Sequence, residues 1–403
     1  MKIVSIVGAR PNFVKLSPIH RSLSQYCDHV IIHTGQHYDF DMSNVFFKEL
    51  QIPAPDINLG IGSLTPGAQI AEMIKGLENE FIQNKQVGAA TEPDLVLVYG
   101  DTNSTFAGAM AASINQIPVA HVESGLRSFD RRMPEERNRI LTDHLSDLLF
   151  APTGTAVANL EVEHVSGKVI NTGDLSVEIV KEAWKFSRNS KILEELSLKP
   201  KTFVLFTMHR AESTESYSNL KEIIEAFREL KFIGVEDSLS VGPGQPMDHG
   251  LSNSKPNMRY GETRERIQIV FPIHPRTEKS LKSHDLYEDL IGLENVKITK
   301  PMGYINFLRL IQDSYKVVTD SGGVQKEAYL CSVPCITIRK STEWVETLEG
   351  GWNKLCNFRK NDIVDVVLQQ NLKLGKNNSK AIYGNGNTSE IIRESIFHRY
   401  TKK

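Results

Sequence analysis

Short strand-like runs, each followed by a helical stretch, constrain this chain more than any other feature. IVSIVG (3–8), HVIIHTG (29–35), DLVLVYG (94–100), IPVAHVE (117–123) and DLLFA (147–151) are rich in Val, Ile and Leu and show no in–out alternation. A strand with one wet face alternates; a strand covered by helices on both faces does not, so these runs predict a parallel sheet. Helical candidates lie between them, such as 102–116 and 134–147. The second opens on Pro134, Glu135 and Glu136. Proline's missing N–H costs nothing in a first turn, and acids there complement the helix dipole. The pattern then restarts with FVLFTMH (203–209), IQIVFPI (267–273), VKITK (296–300), KVVTDS (316–321) and PCITIRK (334–340), and with 219–231 among its helices. Two such series, separated by the charged stretch 181–201, predict two doubly wound α/β domains over residues 1–180 and 195–380. Ligands of such sheets sit beyond the carboxyl ends of the strands, so the cleft between the domains is the expected site.

Composition narrows the partners. Lys and Arg number 47 against 49 Asp and Glu, so no basic excess points to nucleic acid. No apolar run reaches the roughly 18 residues of a membrane helix, and no membrane insertion is expected. The opening apolar run breaks at Gly8 and gives way to Arg10 and Lys15, which reads as a first strand and not a signal peptide. Four cysteines are too few for a disulfide scaffold, and a cytoplasmic protein with reduced thiols is expected. Residues 234–265 are rich in Gly, Pro and Ser without apolar periodicity, and are read as a mobile loop without chemistry.

Two segments can cradle an anion. TDSGGVQKEA (319–328) is a strand end, a Ser-Gly-Gly turn and a helix start; the N–H groups and dipole there favour negative charge. Ser321 adds a hydroxyl beside Gly322 and Gly323, and Glu327 lies one to two turns on, within reach of a sugar hydroxyl. GARPNFVK (8–15) follows the first strand, with Arg10 and Lys15 available to phosphate oxygens. One cradle per domain suggests a diphosphate bridging the cleft. Three acids stand at strand mouths on the amino-terminal side. Asp101 follows a buried strand and reads either as a site acid or as a helix cap. Glu123 reads as a site acid or as the partner of Arg127, and Glu135 as a site acid or a helix-dipole acid. His209 ends the first strand of the second series and faces the same cleft.

Other motifs fail on inspection. His33 and His37 straddle Gly35 after a strand and lack the further ligands of a zinc site, and no metal is expected. Cys331 and Cys335 read as small core residues. SGKV (166–169) lacks the upstream glycine of a P-loop, and no G-x-G-x-x-G follows the first strand to hold a nicotinamide.

Nine segments together resemble the non-hydrolysing UDP-N-acetylglucosamine 2-epimerase family: GARPNFVK, TGQHYD, YGDTNST, HVESGLRS, MPEERNR, TMHRAES, PIHPRT, TDSGGVQKEA and TEWVET. The resemblance implies a GT-B-like pair of Rossmann-like domains with the active site in the interdomain cleft and a carboxyl-terminal helix, about 387–401, returning to the first domain. It implies a homodimer acting on a UDP-sugar without cofactor or metal, and a place in polysaccharide biosynthesis. It matches Arg10, His209, Ser321, Gly322 and Gly323 to diphosphate contacts, Glu327 to a ribose-binding acid and Phe307 to a residue beside the uracil. It matches Asp101, Glu123 and Glu135 to catalytic acids, groups His209 with the catalytic set, and makes Lys15 a residue needed for activity. The sequence departs from the family at Asn12, where Glu is common, and at Ser124.

The implied chemistry is physically consistent. The C2 proton of an N-acetylhexosamine has no adjacent carbonyl to acidify it, but breaking C1–O first places positive charge beside it. UDP then has to stay bound, which an N–H-rich cationic cradle achieves, while acids exchange a hydron with C2 of a 2-acetamidoglucal. ARPNF, MHRAES, TEWVE and the YGNGNTSEII tail also look close to a subgroup that epimerises UDP-2,3-diacetamido-2,3-dideoxy-glucuronate. A GT-B glycosyltransferase and a non-enzymatic UDP-sugar-binding protein are the competing readings.

Overall fold

The computed structural model describes residues 1–36, 49, 52–62, 64–86, 92–230, 234–235, 265–369 and 374–400. His37 and residues 236–264, most of the expected loop, lie outside the described residues.

The apolar runs fold as parallel strands in two sheets. The first sheet holds β1 (Lys2–Val7), β2 (Asp28–His33), β3 (Ile57–Asn58), β4 (Leu95–Tyr99), β5 (Val119–Val122), β6 (Leu148–Ala151) and β7 (Lys168–Asn171), in the order β3-β2-β1-β4-β5-β6-β7. The second holds β8 (Phe203–Thr207), β11 (Gln268–Pro272), β12 (Val296–Thr299), β13 (Lys316–Thr319), β14 (Cys335–Thr337) and β15 (Asn353–Leu355), in the order β12-β11-β8-β13-β14-β15. Between β8 and β11 in sequence, β9 (Gly234–Val235) and β10 (Glu265–Arg266) form a separate antiparallel ladder. β4 and β8 are buried along their whole length, as expected of strands sandwiched by helices.

Each sheet reverses its strand order once. The reversals fall between β1 and β4, paired at Ile3–Leu95, and between β8 and β13, paired at Thr207–Thr319. A crevice opens beyond the carboxyl ends of strands at such points. GARPNFVK and YGDTNST leave the first reversal; TMHRAES and TDSGG leave the second.

The charged stretch 181–201 is not a plain separator. Its first part continues the helix Leu175–Ser187, whose buried Leu175, Val177, Ile179, Val180 and Ala183 join the first core, and Ile192–Glu195 forms a further helical turn. Charge on one face had concealed an apolar stripe on the other. The last helix, Thr388–Tyr400, lies on the first half: Ile392 and Ile396 are fully buried in the first core, Thr388 Oγ1 donates to Thr172 O at 3.0 Å, and Ser389 donates through N and Oγ to Glu178 at 2.7 Å. Among the described residues no helix is long and apolar enough to cross a membrane.

Candidate active site

Glu123 follows β5 directly, in an unusual backbone state. Its φ is +69°, a left-handed conformation costly for a residue with a Cβ, and such strain concentrates at functional positions. The conformation is held from outside: the Glu123 and Ser124 N–H groups both donate to Phe150 O at 3.1 Å, and the Gly125 N–H donates to Asp143. A Cβ on Gly125 would meet Ala156 O at 2.3 Å, so the turn needs glycine there.

Two cations from distant parts of the chain meet the Glu123 carboxylate. Lys15 Nζ, on the helix Arg10–Leu23, donates to Oε1 at 2.5 Å; Lys326 Nζ, on the helix Gly322–Leu330, donates to Oε2 at 3.1 Å. Lys326 also donates to Asp174 at 2.6 Å and lies 3.8 Å above the Trp344 ring. Gly100 leaves room for Lys15, since a Cβ there would sit 3.0 Å from its Nζ. Burial raises the Glu123 pKa, but Lys15 and Lys326 outweigh it and hold the carboxyl at about 2.

The expected Glu123–Arg127 pair does not form. Arg127 binds Asp143 at 2.8 Å and Glu163 at 2.7 Å, because the left-handed turn sends the two side chains apart. Lys15 lies on the buried Glu123 carboxylate.

Asp101 is not the helix cap. Thr102 fills that position, accepting from the Thr105 N–H, and Asp101 accepts instead from Arg139 Nη2 at 2.6 Å. Arg139, 1% exposed, also donates to Glu136 at 2.7 Å and lies 3.8 Å from Glu343. Burial lowers its pKa, yet Asp101, Glu343 and Glu136 together keep it raised. Glu136 is further occupied by the N–H groups of Ser128 and Phe129. Glu135, half-buried in the first turn of the same helix, makes no hydrogen bond or ion pair with another described residue.

On the opposite side, Ser321 caps the helix Gly322–Leu330 by accepting from the Val324 N–H at 3.5 Å. The first N–H groups of a helix have no intrahelical partner and suit an anion. A Cβ on Gly323 would meet only the Ser321 hydroxyl, at 3.9 Å, while one on Gly322 would lie 2.2 Å from Glu343 Oε1. Glu343 is itself ringed by Arg339 at 2.9 Å and by Arg210 and Arg139 at 3.8 Å; burial raises its pKa, and these guanidiniums lower it to about 2. His209 stands beside the turn. Its Nδ1 lies 3.2 Å from fully buried Asp320, which also accepts the His209 and Arg210 N–H groups. A carboxylate can only accept, so Nδ1 carries the proton toward Asp320. Burial raises the Asp320 pKa, but its bonds to His209 and Arg210 outweigh that and hold it at about 2.

The remaining expected residues are placed less directly. Arg10 opens the helix after β1. Glu327 is half-buried one residue beyond Lys326. Phe307, 5% exposed, packs in the second half's core with Leu310, Val317 and Ala328. Asn12 accepts from the Gly8 and Ala9 N–H groups and donates to Tyr99 O, which ties the first turn to β4. Buried Cys335, with half-buried Cys331 packed alongside, belongs to the same core as Phe307. Sequence reasoning missed Lys326, Arg139, Arg339, Glu343 and Asp174. All but Asp174 lie inside the segments already quoted, where charged residues beside buried strand ends were the available signal.

Two parallel α/β sheets whose reversal points face each other, one lined with carboxylates and the other with a glycine-rich helix start, define a GT-B-like enzyme with an interdomain site. The chain belongs to the UDP-N-acetylglucosamine 2-epimerase family, whose model matches residues 21–236 and 258–397. It is 45% identical over 398 residues to a UDP-N-acetylglucosamine 2-epimerase homolog of Methanococcus maripaludis, covering 98% of this chain and 99% of that one. It is 38% identical to the UDP-2,3-diacetamido-2,3-dideoxy-D-glucuronate 2-epimerase of Pseudomonas aeruginosa, over 98% of this chain and 99% of that one. Its fold matches the crystal structure of the Methanocaldococcus jannaschii UDP-GlcNAc 2-epimerase in complex with UDP-GlcNAc and UDP with a TM-score of 0.83, at 38% identity over 99% of this chain and 100% of that one. The chain is therefore an isomerase, a carbohydrate epimerase, and the glycosyltransferase reading gives way.

Proposed function

We propose that this enzyme interconverts UDP-N-acetylglucosamine and UDP-N-acetylmannosamine by eliminating UDP to a 2-acetamidoglucal and adding it back. The observation that carries this reading is the ionised Glu123 carboxylate, held beside the Ser-Gly-Gly helix by one cation from each half of the chain. The relatives' names and the ligands of the M. jannaschii complex support the substrate class.

The residues divide as follows in this proposal. Ser321, the Gly322 and Gly323 N–H groups, His209 and Arg10 hold the diphosphate; Glu327 takes the ribose and Phe307 flanks the uracil. As C1–O breaks, its electron pair leaves with UDP, and the helix N-terminus stabilises the developing dianion. Cationic C1 acidifies the C2 proton, and Asp101, Glu123 and Glu135 divide its removal and return on the two faces of the ring, with Lys15 supporting them. Residues 1–180 and 195–380 act as the two units around the substrate, in a cytoplasmic homodimer.

Incubation with UDP-N-acetylglucosamine in deuterated water places deuterium at C2 of the recovered sugar nucleotides. A second reading, the 2,3-diacetamido-glucuronate as substrate, is favoured by the P. aeruginosa relative, which is as similar as the M. jannaschii structure. A side-by-side assay of the two sugar nucleotides decides between them; exchange with neither removes the epimerase reading.

A further inference from the structure

Lys326 has no part in the roles given so far, yet it is buried and paired with two carboxylates of the other half. Its side chain is 3% exposed, and its ammonium reaches out of its own half to Glu123 and Asp174, whose side chains are 11% and 2% exposed. With Lys15 the cluster holds two positive and two negative charges, so each carboxylate is balanced. Trp344 covers the Lys326 ammonium from one side.

We propose that Lys326 is a positioning residue for the C2 hydron transfer, through which the nucleotide-binding helix fixes the orientation and charge of Glu123. This rests on the epimerase reading. The geometry favours positioning because the two ammoniums take different oxygens, Lys15 on Oε1 and Lys326 on Oε2. One contact leaves a carboxylate free to turn about its last bond; two fix its plane. Lys326 sits five residues after Ser321 on one helix, so the element that holds the diphosphate also holds the acid. A carboxylate bearing two ammoniums is a weak base, but a proton beside cationic C1 is strongly acidic and needs no strong one. The ionised form also stabilises that cation. In the step, the C1–O electrons leave with UDP, the C2–H electrons form the C1=C2 bond, and Glu123 takes the proton. Lys326 neither gains nor loses one.

The other charged groups near Glu123 are few. Lys15 and Asp174 share the small pocket that Val122, Pro152 and Thr172 help to line. His121, two residues earlier on β5, faces Gly100 O and Asp143 at 2.7 Å, with Arg127 beyond Asp143. Among the described residues, loss of Lys326 therefore leaves Glu123 with Lys15 alone and Asp174 with no cation.

The test compares K326M, K326R and the parent enzyme for C2 deuterium exchange across pH 2 to 9, a range that includes the Glu123 titration near 2, with UDP affinity measured by calorimetry. K326M is expected to lose on the order of a hundredfold in exchange rate, and its acid limb is expected to move up by about one pH unit or more. UDP affinity is expected to hold, and K326R to restore the acid limb. K326M/D174N removes the stranded acid together with the cation and serves if K326M alone does not fold. An acid limb unchanged from the parent in either Met variant overturns the inference while leaving the epimerase reading intact. A parent enzyme that exchanges neither sugar nucleotide overturns both.

Discussion

At the carboxyl edge of the first sheet the strands deliver acids: Asp101 after β4 and Glu123 directly after β5. At the matching edge of the second, β8 and β13 deliver His209, Asp320 and the Ser-Gly-Gly helix start. The topology is shared, so the difference lies wholly in the residues placed at the reversal. Neither edge is charge-balanced by itself. Glu123 takes one of its two cations from the second half, and Glu343 of the second half lies against Arg139 of the first. Buried charges are tolerated when paired, and here three of the pairs cross the cleft: Lys326 with Glu123 and Asp174, and Arg139 with Glu343. The first edge can exchange a proton and the second can hold an anion, and each depends on the other for its electrostatics.

The sharpest way to break this division is Glu123→Gln. The amide keeps the shape but loses the charge and the basic oxygen. Turnover is expected to fall about a thousandfold or more, with UDP affinity unchanged by calorimetry. A variant that turned over normally but no longer bound UDP would show that the edges had been assigned the wrong way round.

Arg139→Met tests whether the first edge needs its guanidinium for stability. It strands Asp101 and Glu136 and takes one of three guanidiniums from Glu343, and breaking a buried pair costs about 3–5 kcal/mol. The urea midpoint is expected to drop accordingly. An unchanged midpoint would mean that solvent reaches these acids freely.

Ser321→Ala addresses the second edge. It removes the cap hydroxyl that accepts from Val324 and the proposed donor to phosphate. UDP affinity is expected to weaken roughly tenfold, as for one lost charge-assisted hydrogen bond, while C2 exchange at saturating substrate changes little. Loss of exchange at full UDP affinity would move Ser321 to the other side of the comparison.

Most of this layout was legible in the sequence because it depends on local signals. Unalternated Val/Ile/Leu runs marked the central strands, and glycines, Pro134 and the first-turn acids marked the turns that follow them. The edge strands β3, β7 and β15 were missed, since IN, KVIN and NKL are two to four residues long and lack an apolar run. The partners of the site acids were missed for another reason. Arg127 is four residues from Glu123, whereas Lys15 and Lys326 lie 108 and 203 residues away. Periodicity carries no information about pairings at such separations. Asp101 was a credible cap from sequence, and only the fold shows that Thr102 takes the role and leaves Asp101 to Arg139.

Acid denaturation gives the smallest and most general test of the cross-cleft pairing. Glu123, Glu343 and Asp320 are each held at about 2 in the folded chain, against ordinary values of 4.5, 4.5 and 3.8. A carboxyl whose folded pKa is depressed contributes stability that is fully present above its unfolded value and is lost as pH falls through the folded one. Stability to urea is therefore expected to hold above about pH 5 and to decline toward pH 2, at up to roughly 1.4 kcal/mol per pH unit for each such acid. Glu343→Gln removes one acid that lies against Arg139 across the cleft, so its profile is expected to be shallower by about one proton. Asp320 binds only within its own half and continues to titrate in that variant. If the parent and Glu343→Gln lost stability at the same slope between pH 5 and 3, Glu343 would not be ion-paired in solution, and the contact between the two halves would rest on Lys326 with Glu123 and Asp174.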